Sequence, residues 1–214
     1  MRNVITLSAL SLGLIASTAA LADGKTFVNL GLGMGGSLTP TSVITQGATG
    51  DSYSVRGFAA RGSIGYLFNI MNSGFSYGAE LGYNHFAKNS YTVSGGPDYS
   101  LSYQSYAIDA LGIARYTMND FFFQGKAGAA YVNEAIDTNA GYQAATGVAS
   151  TTKGAVRPEV GAGMGYNFTK HISADVDYSH IFGTEPSISD TSSPSNITQI
   201  APINVLMLNL SYNF

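Results

Sequence analysis

The sequence predicts an all-β chain closed into an eight-stranded antiparallel up-and-down transmembrane β-barrel, and three observations predict it. The last stretch, Asn204 to Phe214, alternates apolar Leu206, Leu208, Leu210, Tyr212 and Phe214 with Met207, Asn209, Ser211 and Asn213, the pattern of a strand with one greasy face. Seven further segments repeat the pattern, joined by connections that are long and short in strict alternation. Only 11% of the residues are charged, against roughly a quarter in soluble domains. A strand facing hydrocarbon needs both edges paired, since an unsatisfied backbone donor there costs several kcal/mol, so the sheet must close.

The rest of the composition agrees. Gly 26 and Tyr 14 with Trp 0 suit short strands and tight turns better than helices, whose interiors glycine weakens by about 1 kcal/mol each. Cys 0 removes disulfides as a source of stability. A net charge of -3 without a Lys/Arg cluster argues against nucleic acid as a partner. At the start, Arg2, the apolar run Val4 to Ile15 and the small-x-small Ala20-Leu21-Ala22 read as a secretory signal peptide over residues 1–22. Its apolar run is shorter than the roughly 20 residues a spanning helix needs. Residues 23–214 are then the mature barrel domain.

In chain order, Val28, Leu30, Leu32 and Met34 alternate with Asn29, Gly31, Gly33 and Gly35 in the first strand. Those glycines do not form a phosphate loop, because no Lys-Ser/Thr and no helix follow. Ser37 to Tyr53 reads as a long loop. The second strand sets Phe58, Ala60, Ile64, Tyr66 and Phe68 against Ala59, Arg61, Ser63 and Gly65. After the short turn Asn69 to Gly74, Phe75, Tyr77, Ala79, Leu81, Tyr83 and His85 oppose Ser76, Gly78, Glu80, Gly82 and Asn84. Lys88 to Tyr99 is a second long loop.

The fourth strand, Ser100 to Tyr116, is ambiguous, because Leu111 and Ile113 share a face with Asp109 and Arg115. The charges decide: an acid or base facing lipid costs far more than a leucine in a packed lumen. A Thr117-to-Asp120 turn leads to Phe121, Phe123, Ala127, Ala129 and Tyr131 outside, with Gln124, Lys126, Gly128 and Ala130 inside, and Ala135 to Lys153 is the third long loop. Val156, Pro158, Val160, Ala162, Met164, Tyr166 and Phe168 then oppose Arg157, Glu159, Gly161, Gly163, Gly165 and Asn167. Pro158 lacks a ladder donor and predicts a bulge or the strand's rim. Thr169 to His171 is the last short turn. Ile172, Ala174, Val176, Tyr178 and His180 oppose Ser173, Asp175, Asp177 and Ser179, and Phe182 to Gln199 returns the chain to the closing strand.

Outward aromatics cluster beside the short turns (Tyr66, Phe68, Phe75, Tyr77, Tyr116, Phe121, Phe123, Tyr166, Phe168, Tyr212, Phe214), with a sparser belt of Phe58, Tyr83, Tyr106, Tyr131 and Tyr178 further along. Two such girdles bound an apolar band about 25 Å tall in barrels of this kind. Phe27 breaks the pattern by falling on the inward face.

With a signal peptide, eight alternating strands and a terminal Leu-Ser-Tyr-Asn-Phe, residues 23–214 resemble the small Gram-negative outer-membrane β-barrels of the opacity-protein and OmpA-transmembrane type. The resemblance implies a location in the outer membrane, contact with its lipid and lipopolysaccharide, and an assembly address in Leu210, Tyr212 and Phe214 read by the barrel-assembly machinery. The alternation of long and short connections places the long loops outside and the short turns in the periplasm, and the expected protein is a monomer.

The inward charges, Arg61, Glu80, Asp109, Arg115, Lys126, Arg157, Glu159, Asp175 and Asp177, are expected to form a lumen ion-pair network, because an eight-stranded barrel has room only for side chains and buried charges must pair. Their heights suggest Arg61 with Glu80 and Asp109 with Lys126. An acid/base reading of Asp175 and Asp177 is weaker for the same reason. A lipid A deacylase reading rests on His171, Ser173 and Glu185, but Ser173 and Glu185 lie about 40 Å apart along an extended chain. The sequons at Asn167 and Asn196 read as chance matches. No catalytic residue, cofactor or metal ligand is therefore expected. The expected function is a structural surface barrel whose loops serve adhesion or recognition of an extracellular ligand; the rival is a narrow porin-like channel for small or hydrophobic solutes.

Removing Phe214, or replacing Phe214 and Tyr212 with polar residues, is expected to lower the yield of folded, heat-modifiable barrel while leaving signal cleavage unchanged; an unaltered folded yield at native expression would refute the assembly address.

Overall fold

The computed structural model describes residues 24–37, 51–52, 57–69, 73–86, 88–93, 99–146, 150–184 and 200–214. The signal peptide (1–22), Glu185 and most of the first and last long loops lie outside the described residues. The strands are β1 (Gly24–Ser37), β2 (Asp51–Ser52), β3 (Phe58–Asn69), β4 (Phe75–His85), β5 (Asn89–Val93), β6 (Tyr99–Met118), β7 (Phe121–Thr138), β8 (Thr151–Asn167), β9 (Ile172–Ile181) and β10 (Ile203–Asn213), with one helix, α1 (Ala140–Thr146).

Eight of them close a barrel. Each long strand pairs antiparallel with its neighbours in the order β6-β4-β3-β1-β10-β9-β8-β7, and β7 returns to β6. The closing seam joins the first strand to the last, from Phe27 opposite Asn213 to Ser37 opposite Ile203. The closed eight-stranded all-β fold is the one the alternation predicts. The faces also follow: Leu30, Leu32, Leu81, Val176, Leu206, Leu208 and Leu210 are exposed outward, while Arg61, Glu80, Asp109 and Lys126 are buried. Leu111 and Ile113 are each 4% exposed, inside with the charges as inferred.

The short connections are tight. Met118 pairs with Phe121, so the expected four-residue turn is a two-residue hairpin over Asn119 and Asp120. Asn119 takes a φ of 57° there, a left-handed conformation that asparagine tolerates better than most residues. Around these turns the outward rings touch, with centroids 4.6 Å apart for Phe75–Tyr116, 4.9 Å for Phe121–Tyr166 and 5.4 Å for Phe68–Tyr77.

The other end departs from expectation. Lys88 to Tyr99 is not a plain loop, since β5 pairs with the Tyr99–Tyr103 end of β6. Ala135 to Lys153 is largely ordered too: β7 runs to Thr138, α1 follows, and β8 starts at Thr151. With 20, 18 and 17 residues, β6, β7 and β8 exceed the roughly 9–11 residues that cross a bilayer, so their loop-side ends form a wall standing clear of the membrane. Alternation is weak there because no lipid enforces it. Pro158 makes no bulge. It stands in register with Ala129, and its pairing with β9 stops at the adjacent Glu159, beyond which the Pro158 carbonyl accepts from Phe182 N–H at 3.0 Å. The missing donor therefore falls where that ladder ends.

Single cysteines test the orientation: an impermeant label on intact cells is expected to reach one placed at Ala144 in α1 and to miss one at Lys170 in a short turn, and the opposite result would invert the barrel.

Candidate functional site: the lumen and its short-turn end

The strand period puts every second side chain into a lumen too narrow for water to screen charge, so the inward residues stack in layers. At the short-turn end a cup of about 620 Å³ is lined by Lys25, Leu67, Ser76, Arg115, Asp120 and Lys170 among others. Leu67, which lines it, packs with Phe27 and Ile113, each nearly fully buried, so Phe27's inward turn supplies part of this apolar layer.

 Phe122 is fully buried as well, and the Arg115 guanidinium lies over its ring, 4.2 Å from the centroid.

Above that layer the charges meet. Arg61 donates from Nη2 to Glu80 Oε1 at 2.6 Å and through Nη1 to Asp109, and its Nη1 also reaches Asn84 Oδ1 at 2.9 Å. Lys126 Nζ lies 2.8 Å from Asp177 and 3.3 Å from Glu80. Five charged groups from β3, β4, β6, β7 and β9 are thus tied into one cluster across the lumen. The arginine fork suits this task, since it offers several donors in a plane to more than one carboxylate. Gly82 makes room for it, because a Cβ there would stand 2.5 Å from the Arg61 guanidinium. The expected pairing of Asp109 with Lys126 does not form: Arg61 reaches past Glu80 to Asp109, and Lys126 turns to Glu80 and Asp177.

The other inward charges sit differently. Asp175 accepts from Asn209 Nδ2 at 2.7 Å and Gln124 Nε2 at 3.3 Å, and Gln124 also donates to Asp177 at 3.1 Å. Arg115 donates to Gln124 Oε1 at 2.8 Å. Glu159, 1% exposed, lines with Arg61, Lys126 and Asp177 a void of only about 20 Å³. Arg157 is partly buried and its Nε has no partner. Toward the loops an apolar plug fills the lumen, built from Phe86, Val132, Ile181, Ile200, Ile203 and Met207 with alanines between them.

Sequence reasoning assigned Gln124, Asn84 and Asn209 to the inward face without giving them partners, and it passed over Phe122. Its position between Phe121 and Phe123 hides it among outward rings, although strand parity places it inside with Gln124 and Lys126. Of the deacylase set, Ser173 is fully buried in the lumen, where a lipid chain outside the barrel does not reach it. His171 is held at the turn by a 2.8 Å contact of Nδ1 with the Asn213 carbonyl. Leu210 and Tyr212 face outward on β10 and Phe214 follows its end, exposed at 58%, 48% and 69%.

A closed barrel, greasy outside and charge-tied inside, defines a small transmembrane β-barrel. The family model of the outer membrane protein β-barrel domain matches residues 7–214, and the chain belongs to that family and resides in the bacterial outer membrane, against its lipid. A protein of Coxiella burnetii (strain RSA 493 / Nine Mile phase I), described as uncharacterized, is 30% identical over 197 residues, covering 80% of this chain and 74% of its own. Among solved structures, OprG of Pseudomonas aeruginosa aligns with a TM-score of 0.54 at 13% identity, over 90% of this chain and 96% of its own. Neisserial surface protein A aligns at 0.50 and 16%, over 88% and 97%. Ail of Yersinia pestis, solved with the heparin analogue sucrose octasulfate, aligns at 0.50 and 14%, over 90% and 99%. At these identities the likeness is one of fold.

Glu80 holds both Arg61 and Lys126, so Glu80→Ala leaves two buried cations short of a counter-charge and is expected to cost roughly 3–5 kcal/mol in urea unfolding of the reconstituted barrel. Asp137→Ala, which breaks the exposed 3.6 Å pair with Lys88, is expected to cost about 1 kcal/mol or less. Equal effects would contradict the closure of the lumen by charge.

Proposed function

We propose that this outer-membrane barrel is a non-catalytic, monomeric surface protein that supports the envelope and presents its four outer connections for adhesion or recognition. The observation that carries the reading is the filled lumen: the ion cluster spans it, and the void within that layer is about 20 Å³, room for about one water. A conducting pore needs a continuous wet path, which the apolar plug beyond the cluster opposes. Export through the signal peptide, and assembly read from Leu210, Tyr212 and Phe214, belong to the same reading.

Recognition is favoured by the wall of β5, β6, β7, α1 and β8, a rigid rim from which the outer connections emerge; binding residues commonly sit on loops held by such scaffolds. The ligand differs in kind from the polyanion bound to Ail. The four connections contain Asp51, Asp98, Asp137, Glu185 and Asp190 against Arg56, Lys88 and Lys153, a net negative charge that does not complement sulfated sugars. An uncharged or cationic surface is the better match.

In planar bilayers the protein is expected to give no steady conductance, and deleting the outer connections is expected to abolish attachment of cells to a surface that the parent strain binds. Reproducible single-channel steps from a monomeric preparation would favour the channel for small or hydrophobic solutes instead.

A further inference from the structure

The cup at the short-turn end is not used by the surface role. We propose that it is a binding site for a small polar anion, carrying a carboxylate or a phosphate, that reaches the protein from the periplasm. At about 620 Å³ the cup falls within the roughly 300–1,000 Å³ typical of small-molecule sites. Its charge is opposite to that of the chain. Lys25, Arg115 and Lys170 line it and Asp120 is the one acid among the described lining residues, in a protein of net charge -3.

Arg115 is the centre of the site. Its guanidinium lies against the Phe122 ring and gives one hydrogen bond to Gln124, its Nε has no partner, and it joins none of the ion pairs found among the described residues. An arginine that lines the cup, lies against a ring and joins none of the ion pairs found among the described residues offers a planar guanidinium to a carboxylate or phosphate. The amides and hydroxyls of Asn69, Thr117, Asn167 and Thr169 also line the cup, so the bound anion carries hydroxyl or amide groups of its own. Lys25 and Lys170 are exposed at the rim and draw the anion in. On its inner side Leu67 lines the cup, backed by Phe27 and Ile113.

The full mature protein, folded in detergent and checked by its heat-modifiable mobility, is titrated calorimetrically with inorganic phosphate, with citrate and with glucose. Saturable binding of at least one anion, and none of glucose, is expected; the tighter of the two identifies the head group as phosphate or carboxylate. Arg115→Gln is expected to weaken binding about tenfold or more. Because that change touches the lumen, the rim variant Lys25→Gln/Lys170→Gln is tested beside it, with an expected loss of about fivefold and an unchanged melting curve. Absence of saturable anion binding to the folded parent protein, or equal binding by the parent and the rim variant, overturns the site.

Discussion

Every backbone amide of this chain that faces hydrocarbon must find its partner in the chain itself, and the rest of the structure depends on that requirement. A sheet in lipid has no tolerable edge. The strands therefore pair in a ring, and β1 meets β10 along eleven residue pairs to shut it. Once the ring is closed, strand parity divides the side chains with no further choice. The lipid takes the leucines and aromatic rings, and whatever is left must fill a tube hardly wider than two side chains.

That second confinement accounts for the interior. The charges of the middle layer are far from bulk water, and each must be answered by another. Arg61 and Lys126 answer three carboxylates, with Asn84, Gln124 and Asn209 taking up remaining hydrogen bonds. The inward glycines belong to the same economy of space. Gly82 clears the Arg61 guanidinium, and a side chain at Gly165 would collide with Phe122. Along the axis a charged layer lies between the small Phe27–Leu67–Ile113 cluster and the larger apolar cluster toward the loops.

Legibility from sequence followed the lipid. Where hydrocarbon enforces the period, as in β4 or β10, alternation gave the strand, its faces and nearly its ends. It even settled Leu111 and Ile113 through their charged neighbours. Beyond the membrane the enforcement stops, and nothing in the residue pattern of β5, α1 and the upper parts of β7 and β8 sets them apart from loop. Parity places an inward charge where the alternation is clear, but it does not reveal Glu134, 2% exposed near the loop-side end of β7 where the alternation fades. The partners of the inward charges were not legible. Height and parity say nothing of how far an arginine reaches around the tube, which is why Asp109 was matched to Lys126 when Arg61 holds it. The Arg115 cup was invisible for a related reason: it is assembled from three separate turns and the start of β1.

The seam between β1 and β10 has a kinetic meaning as well. Most barrel pairings join strands that follow one another closely, and β6 and β7 need only two residues to turn. The seam joins Phe27 to Asn213, nearly the whole length of the described chain, so its loop-closure entropy must be met before any of its hydrogen bonds form. Contact order is thus concentrated in a single step. Every intermediate short of that step is an open ribbon with two raw edges, and the last strand made is the one that removes both. Until that seam forms, β1 and β10 are the two edges open to pairing with another chain.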